Sequence, residues 1–495
     1  MGWWRDMKDR AVGRAYRRHR RALENLAPAR LRREADAMLL AAFRRAARGV
    51  PAYGRVLAAA GVALQAVTTV EQFRERVPVL DKRSVFEGQR LRDLCVGGTL
   101  GDVGLVYTSS GHSGVFSFGI ERRGTERQAA LGVEFLFDTW FDIRRRRTVL
   151  VNCLPMDVRI PTRTLALAEA GVRSDAVVSL IRKLAGEFEQ FVLVGESLFL
   201  KQVVDEGADA GIRWEDLRVN VVTGGEFIPE TYRSYLADAL KLRADSANCG
   251  RIFLNMGLSE LSISIFHEEP ETVEIRRAAM ADARFGEALA GGPTSVCPEV
   301  MQYDPRHAYV ECLAGEAGPP ELIISTLDPD REVPLLRYRT GDRGRTLDHS
   351  VLVDLLGQFG YERLAPRQRL PVAVLWGRDR EVRLVSGQAV SVSEVKEALY
   401  EDAATARQLT GRFHISPLKQ AACLEFQVRP SASTSEAAVR RLAEAVRRRT
   451  SCPVDVRLLE HNDFPYDRTY EYQRKPQYIS QATASVGASP RETVS

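Results

Sequence analysis

The run Tyr107-Thr108-Ser109-Ser110-Gly111-His112-Ser113-Gly114 places hydroxyls and glycines directly behind a β-type segment, Val103 to Tyr107. Small residues let a backbone come close to a bound group, and hydroxyls with successive N–H groups converge on phosphate oxygens. Alone, the run is equally an ordinary Ser/Gly turn. No Gly-x-x-x-x-Gly-Lys-Ser/Thr pattern is present, which excludes a Walker phosphate loop. Downstream, Met256-Gly257-Leu258-Ser259-Glu260 follows a strand candidate at 251–255. A carboxylate just past a sheet's carboxyl edge, as Glu260 would be, is placed to hold Mg²⁺ between phosphates. Arg337-Tyr338-Arg339-Thr340-Gly341-Asp342 sets an aspartate on a tight turn, where it can accept both hydroxyls of a ribose. Gly377-Arg378 supplies a cation at a point suited to a hinge, and Arg468-Thr469 with Arg474 and Lys475 forms a late basic cluster. Each of these also reads singly as a surface turn or a solvated charge cluster.

The elements that must position these residues follow from periodicity. Leu31, Ala35, Met38, Leu39, Ala42, Phe43 and Ala46 recur at helical spacing, which predicts a helix over 12–48 that Gly49 and Pro51 stop. A short helix is expected around 55–60 and another over 68–78. Strands are expected at 148–152, 191–194 and 219–223, the second leading into a helix capped by Ser197 and the third into Gly224-Gly225-Glu226. Pro229 then suits a first helical turn. Alternating strands and helices of this length argue for a parallel sheet. Between 263 and 340 the texture turns β-rich, with short strands at 309–311, 321–326 and 335–338. Beyond Trp376, strands at 382–385, 422–428 and 454–458 alternate with helices at 391–400 and 435–449, a small α+β domain.

The expected class is therefore α/β: a large N-terminal domain over 1–376 with mixed or parallel sheets and a β-rich subdomain, beginning in a basic helical region over 1–60. A small α+β domain over 377–480 follows, and then a disordered tail over 481–495 that lacks large apolar groups. A chain of 495 residues exceeds one ordinary core, and its 45% apolar and 27% charged content is that of a globular protein. No apolar run approaches the roughly 18 residues of a membrane span. The basic N-terminus has no signal core behind it, and the seven cysteines lack Cys-x-x-Cys spacing. A cytoplasmic protein with reduced thiols is expected. The arginine clusters at 17–21, 144–147 and 447–449 lack interleaved aromatics, so they read as solvated helix faces and not as a nucleic-acid surface.

Taken in order, the Ser/Thr/Gly loop, Gly-Gly-Glu, Gly-Leu-Ser-Glu, Arg-Tyr-Arg-Thr-Gly-Asp, Gly-Arg and a late lysine resemble the adenylate-forming (acyl/aryl-CoA synthetase) superfamily. The nearest likeness is to its phenylacetate–CoA ligase branch. Val50-Pro51-Ala52-Tyr53, Val77-Pro78-Val79-Leu80-Asp81-Lys82 and Pro334 to Asp342 match that branch's signatures, and the resemblance covers roughly 45–478. It implies ATP-dependent conversion of a small carboxylic acid to an acyl-adenylate. Transfer to a thiol, coenzyme A first, would follow as the small mobile domain rotates. It also implies roles for single residues. Thr108, Ser109, Ser110, Gly111, His112, Ser113 and Gly114 would hold the β- and γ-phosphates, with Met256, Gly257, Leu258 and Ser259 bordering the nucleotide and Glu260 on Mg²⁺. Gly224, Gly225 and Glu226 would border adenine. Asp342 would bind ribose, reinforced by Arg378, and Lys475 would stabilise the α-phosphate.

Three departures stand out. Gly114 is followed by Val115-Phe116 where the family carries Lys or Arg, with His112 at a usual Thr/Ser position. Arg380 takes the usual hinge aspartate. Gapless alignment from Arg468-Thr469 puts Gln473 at the catalytic lysine, with Lys475 two residues on, about 7 Å along a strand. The expectation rests on Lys475. Phe135, Phe137, Trp140 and Phe141 are either core or the wall of an aryl or fatty acid pocket. An amine, a carrier-protein thiol or a small inorganic nucleophile stays open as acceptor, as does a non-catalytic nucleotide binder. A monomer or homodimer is expected.

Overall fold

The computed structural model describes residues 2–109, 114–155, 158–245, 248–315, 319–378, 381–384, 386–418, 420–432, 435–450, 452–466 and 476–479. These form two compact units, one built on residues up to 378 and the other on residues from 381 onward. Among the described residues no helix is long and apolar enough to cross a membrane, and all seven cysteines are free.

The large unit opens with helices α1 (Gly2–Glu24), α2 (Pro28–Gly49), α3 (Pro51–Ala59), α4 (Val70–Arg76) and α5 (Lys82–Phe86). The single helix expected over 12–48 is two. Pro28 occupies the first turn of α2, where its missing N–H is harmless, and the chain breaks just before it. Pro51 likewise opens α3 and does not merely stop α2. The buried face of α2 (Leu39, Phe43, Ala46) packs with Tyr53, Phe73 and Val77 into one cluster that includes Leu327 and Leu336.

Strands β1 (Val103–Thr108) and β2 (Phe118–Arg122) form a separate antiparallel pair. The main sheet takes in β3 (Thr148–Cys153), β4 (Ala166–Glu169), β5 (Gln190–Glu196), β6 (Val219–Gly224), β7 (Ile252–Leu258), β8 (Ser262–His267), β9 (Glu299–Gln302), β10 (Ala308–Leu313), β11 (Glu321–Thr326), β12 (Tyr338–Leu347) and β13 (Val372–Gly377). Its order is β10-β11-β12-β13-β9-β8-β7-β6-β5-β3-β4, 11 strands. β4, β3, β5, β6 and β7 run parallel, and every pairing from β7 to β10 is antiparallel. The parallel sheet and the β-rich stretch expected from the sequence are thus two halves of one sheet. Crossover helices Ser174–Leu184, Ser197–Asp209 and Glu230–Ala239 connect the parallel half, whose strands β3, β5 and β6 are buried almost throughout, as a parallel sheet requires.

Several local expectations shift. The strand expected at 335–338 begins at Tyr338 and runs to Leu347. Glu196, not Ser197, occupies the N-cap after β5, and Pro229 is the N-cap of the helix it precedes. Arg144 to Arg147 lie on a turn and not a helix face, following Asp142, which ends the helix Glu126–Phe141 in a left-handed conformation.

The smaller unit contains a two-stranded pair, β14 (Glu381–Arg383) with β15 (Ala389–Ser391), and a sheet of β16 (Leu409–Pro417), β17 (Ala422–Val428) and β18 (Val454–Leu459). β16, which the sequence reading missed, pairs antiparallel with β17, and β18 pairs parallel. Helices Val392–Leu399 and Glu436–Arg449 accompany these strands. Arg447, Arg448 and Arg449 fall in the last turn of the second, where cations complement the helix dipole.

One buried arginine ties the N-terminal helices to β12. Arg337, 5% exposed, donates from Nη1 to the carbonyls of Arg74 and Val77. Its Nη2 lies 3.2 Å from Glu311. Burial pushes the Glu311 carboxyl up, and Arg337 pulls it back toward the charged form. Removing one partner of a buried ion pair strands the other. Arg337→Met is therefore expected to destabilise the large unit by roughly 3–5 kcal/mol in urea unfolding. Arg337→Met with Glu311→Leu should recover much of that loss.

Candidate active site

The β7–β8 turn presents Glu260, and the carboxylate is buried at 6% exposure. Oε2 accepts hydrogen bonds from Ser117 Oγ and Ser259 Oγ, each at 2.9 Å. Oε1 accepts one from Tyr338 Oη at 2.9 Å. A carboxylate offers about four acceptor sites, so three hydroxyls leave room for one more partner. All three donors to the carboxylate are neutral, and a buried guanidinium, that of Arg331, donates instead to the Glu260 backbone carbonyl at 2.6 Å. Burial, with the Glu260 charge second, holds the Tyr338 hydroxyl far above its ordinary range. The backbone approach is equally tight. A side chain at Gly119 in β2 would collide with the carbonyl oxygen of Ser259. The pairing of β7 with β8 is irregular between Met256 and Leu258.

The hydroxyl-rich loop leaves β1 beside this carboxylate. Ser109 N–H donates to the carbonyl of Ser117 at 3.0 Å, and Ser117 N–H donates to Ser109 Oγ at 3.0 Å. The reciprocal pair closes the base of the loop. Gly114 takes a left-handed φ of 79°. Ser110, Gly111, His112 and Ser113 lie outside the described residues.

Asp342 sits within β12, next to Gly341, whose φ of 79° no ordinary side chain favours. It is 7% exposed. Arg378, just past β13, approaches Oδ1 with Nε at 3.4 Å. Asp342 Oδ2 is buried and has no hydrogen-bond partner among the described residues, and the same holds for Thr223 Oγ1 at the end of β6. An unsatisfied buried polar atom costs roughly 1–3 kcal/mol. A carboxylate oxygen left this way calls for a hydroxyl or N–H donor from outside the chain. The Gly224-Gly225-Glu226 turn follows at the end of β6. A side chain on Gly224 would strike the Asn255 carbonyl, and Gly225 has φ 92°. Phe227 Cβ lies 3.0 Å from where a Gly377 Cβ would stand. Ser197 Oγ donates to Glu226 at 3.1 Å.

No family model and no curated protein sequence matches the chain. Solved structures do. A 2-hydroxyisobutyryl-CoA ligase in its postadenylation state, in complex with R3-HIB-AMP, superposes with a TM-score of 0.64 at 14% identity, covering 90% of each chain. The same ligase with 2-HIB-AMP gives the same TM-score, identity and coverage. In its thioesterification state, with 2-HIB-AMP and CoA, it gives 0.53 over 92% of this chain and 90% of that one. The chain shares that ligase fold.

Hydrogen bonds join Ser109 to Ser117 and both Ser117 and Tyr338 to Glu260, Arg378 meets Asp342, and Phe227, just after Gly224-Gly225-Glu226, packs beside Gly377. Met256, Gly257 and Leu258 are the last residues of β7 and not a loop after it, while Ser259 and Glu260 make the turn. Asp342 is in a strand bulge and not on a tight turn after a strand, because β12 starts later and runs through it. Lys475, Gln473 and Arg468-Thr469 lie outside the described residues, as does the hinge residue Arg380. The aromatic residues resolve as core: Phe137, Trp140 and Phe141 are buried with Leu150, Val192, Val222 and Phe253, and Phe135 packs against Leu23, Leu31 and Leu370. Sequence reasoning missed Ser117 and the hydroxyl role of Tyr338. Their only signal was a serine near the loop's end and a tyrosine inside a recognised motif. Tyr338→Phe removes one of three donors to a buried carboxylate, and urea unfolding should show a loss of roughly 1–3 kcal/mol.

Proposed function

We propose that the chain activates a carboxylic acid with ATP, forming an acyl-adenylate and releasing pyrophosphate, and then passes the acyl group to the thiol of coenzyme A. The observation that carries this reading is Asp342. Its buried Oδ2 lacks a donor, its Oδ1 faces a guanidinium, and it stands in the Arg-Tyr-Arg-Thr-Gly-Asp motif. A ribose hydroxyl would supply that donor, and Arg378 orients the aspartate. The thiol acceptor is supported by the CoA complex of the ligase that shares the fold.

In this reading the acid's carboxylate oxygen attacks the α-phosphorus, and the bond to the β-phosphate oxygen breaks. Such transfers need positioning and charge neutralisation more than covalent help from protein. Thr108, Ser109 and Gly114, with the rest of the loop, would cradle the leaving phosphates, and Gly224-Gly225-Glu226 would border the base. Glu260 fits a magnesium site: its carboxylate is already oriented by three hydroxyls and keeps one acceptor position. Mg²⁺ commonly needs only one or two carboxylates besides phosphate oxygens and water. When bound, the ion would neutralise phosphate charge. Lys475 would stabilise charge at the α-phosphate. The core placement of Phe137, Trp140 and Phe141 removes the argument for an aromatic acid, so the acid class is left to a substrate panel. Seven free thiols suit a cytoplasmic setting, where ATP and coenzyme A are at hand.

ATP–pyrophosphate exchange against hydroxy, aryl, fatty and amino acids tests the reading, and acid-dependent exchange is expected. Lys475→Ala should cut exchange by roughly 10²–10³-fold while ATP still binds. Asp342→Ala should weaken ATP binding by roughly 10–100-fold. ATP binding without exchange for any acid would sink adenylation, and unchanged ATP affinity in Asp342→Ala would sink the site.

A further inference from the structure

At the end of β7 and β8 opposite Glu260, a cavity of about 300 Å³ opens between α1, the start of β7 and the segment after β8. Arg251 precedes β7 and Glu269 follows β8, whereas Glu260 stands on the turn that joins the two strands. The length of β7, at about 3.3 Å per residue, puts roughly 20 Å between the two places. The floor of the cavity is polar and buried. Glu269 is 4% exposed, and Gln302 is fully buried. Gln302 Nε2 donates to the carbonyls of Gln368 and Leu370, at 2.9 and 3.3 Å. Those two acceptors fix which way the amide faces, and its Oε1 has no hydrogen-bond partner among the described residues.

The Glu269 carboxyl lacks a counter-charge. Gln368 Nε2 donates to its Oε1 at 3.1 Å. Among the described residues its one ion-pair neighbour is His267, 3.7 Å away. Burial pushes that imidazole down to about 4, so it is uncharged at neutral pH. Burial, with Glu271 second, pushes Glu269 up to about 8, against the pull of Arg20 and Gln368. Positive charge stands toward the mouth, where Arg251 and Arg367 are exposed and Arg20 half-buried. Arg20 donates from Nη2 to Thr139 Oγ1 at 3.0 Å, and Arg251 from Nη1 to the Trp140 carbonyl at 3.3 Å. Arg367 lies 3.5 Å from Glu271, and Glu24 is the remaining acid of the lining.

A bare amine would have to pass three guanidinium groups to reach this floor, and a bare anion would end against a buried carboxyl and an amide oxygen. A molecule that carries both charges meets acceptors at the floor and guanidiniums at the mouth. We propose that the cavity is a second ligand site, distinct from the one around Glu260, and that it takes a free α-amino acid, its ammonium donating to Glu269 and Gln302 Oε1 and its carboxylate accepting from Arg20 and Arg251. The ammonium supplies the counter-charge that Glu269 lacks, and charge-assisted bonds of this kind are the strong ones. A zwitterion also enters without changing the balance of the lining, which has three arginines and three glutamates. The volume is at the lower end of small-molecule sites and suits a single amino acid. The site stands independently of the adenylation reading.

The test screens the full-length protein by thermal shift against the standard proteinogenic amino acids and titrates the tightest binder by calorimetry. Two near-isosteres of that amino acid serve as controls: its α-hydroxy acid, which lacks the ammonium, and its α-carboxamide, which lacks the carboxylate. At least one amino acid is expected to bind, with each control roughly 10–100-fold weaker. Glu269→Gln and Arg251→Gln, each checked for an unchanged melt without ligand, should each lose roughly 10–100-fold in affinity for the same amino acid. Arg251→Gln, at an exposed position, decides alone should Glu269→Gln fail to fold. No binding by any amino acid, or a control that binds as tightly as its parent, overturns the inference. So does unchanged affinity in either folded variant, which would place the amino acid elsewhere, for instance as the acid to be adenylated.

Discussion

A carboxylate buried among three hydroxyls is the constraint on which the large unit's site depends. Taking a charge out of water costs several kcal/mol unless its oxygens are satisfied. Glu260 meets that demand with hydroxyls from three places: Ser117 from the β1–β2 connection, Ser259 from its own turn, and Tyr338 from the start of β12. Holding three donors at hydrogen-bond distance fixes the register of three elements against one another.

β12 carries the second half of the arrangement. Arg337 holds the N-terminal helices against it, Leu80 bridges to it, Tyr338 reaches Glu260, and Asp342 faces Arg378. A strand of ten residues thereby joins the N-terminal cluster, the Glu260 carboxylate and Asp342. Glycines permit the close approaches around it. Gly119 lies against the Ser259 carbonyl and Gly224 against that of Asn255, so each marks a place where two backbones meet with no room for a methyl group.

Much of this was legible in residue types and order. The strands at 148–152, 191–194 and 219–223 are short valine-rich runs, and burial on both faces makes such runs easy to read. The motifs around Glu260 and Asp342 stood out by composition. Their environment did not. Ser117 and Tyr338 lie 143 and 78 residues from Glu260 in sequence, and nothing local to any of them announces the contact. Phe137, Trp140 and Phe141 look alike as pocket wall or core, since both are apolar, and only their packing against Phe253 and Val222 decides. The expected helix over 12–48 failed because apolar spacing continues across Pro28. A proline at the first position of a helix interrupts the chain without interrupting the pattern.

The central claim is that this edge of the sheet binds a nucleotide. Hydrogen–deuterium exchange of the whole chain, with and without ATP and Mg²⁺, addresses it most directly. Slowed exchange in peptides spanning 105–118, 222–228, 256–262 and 338–344 is the predicted result. Protection confined to other parts of the chain, with these peptides unchanged at saturating ATP, would contradict it.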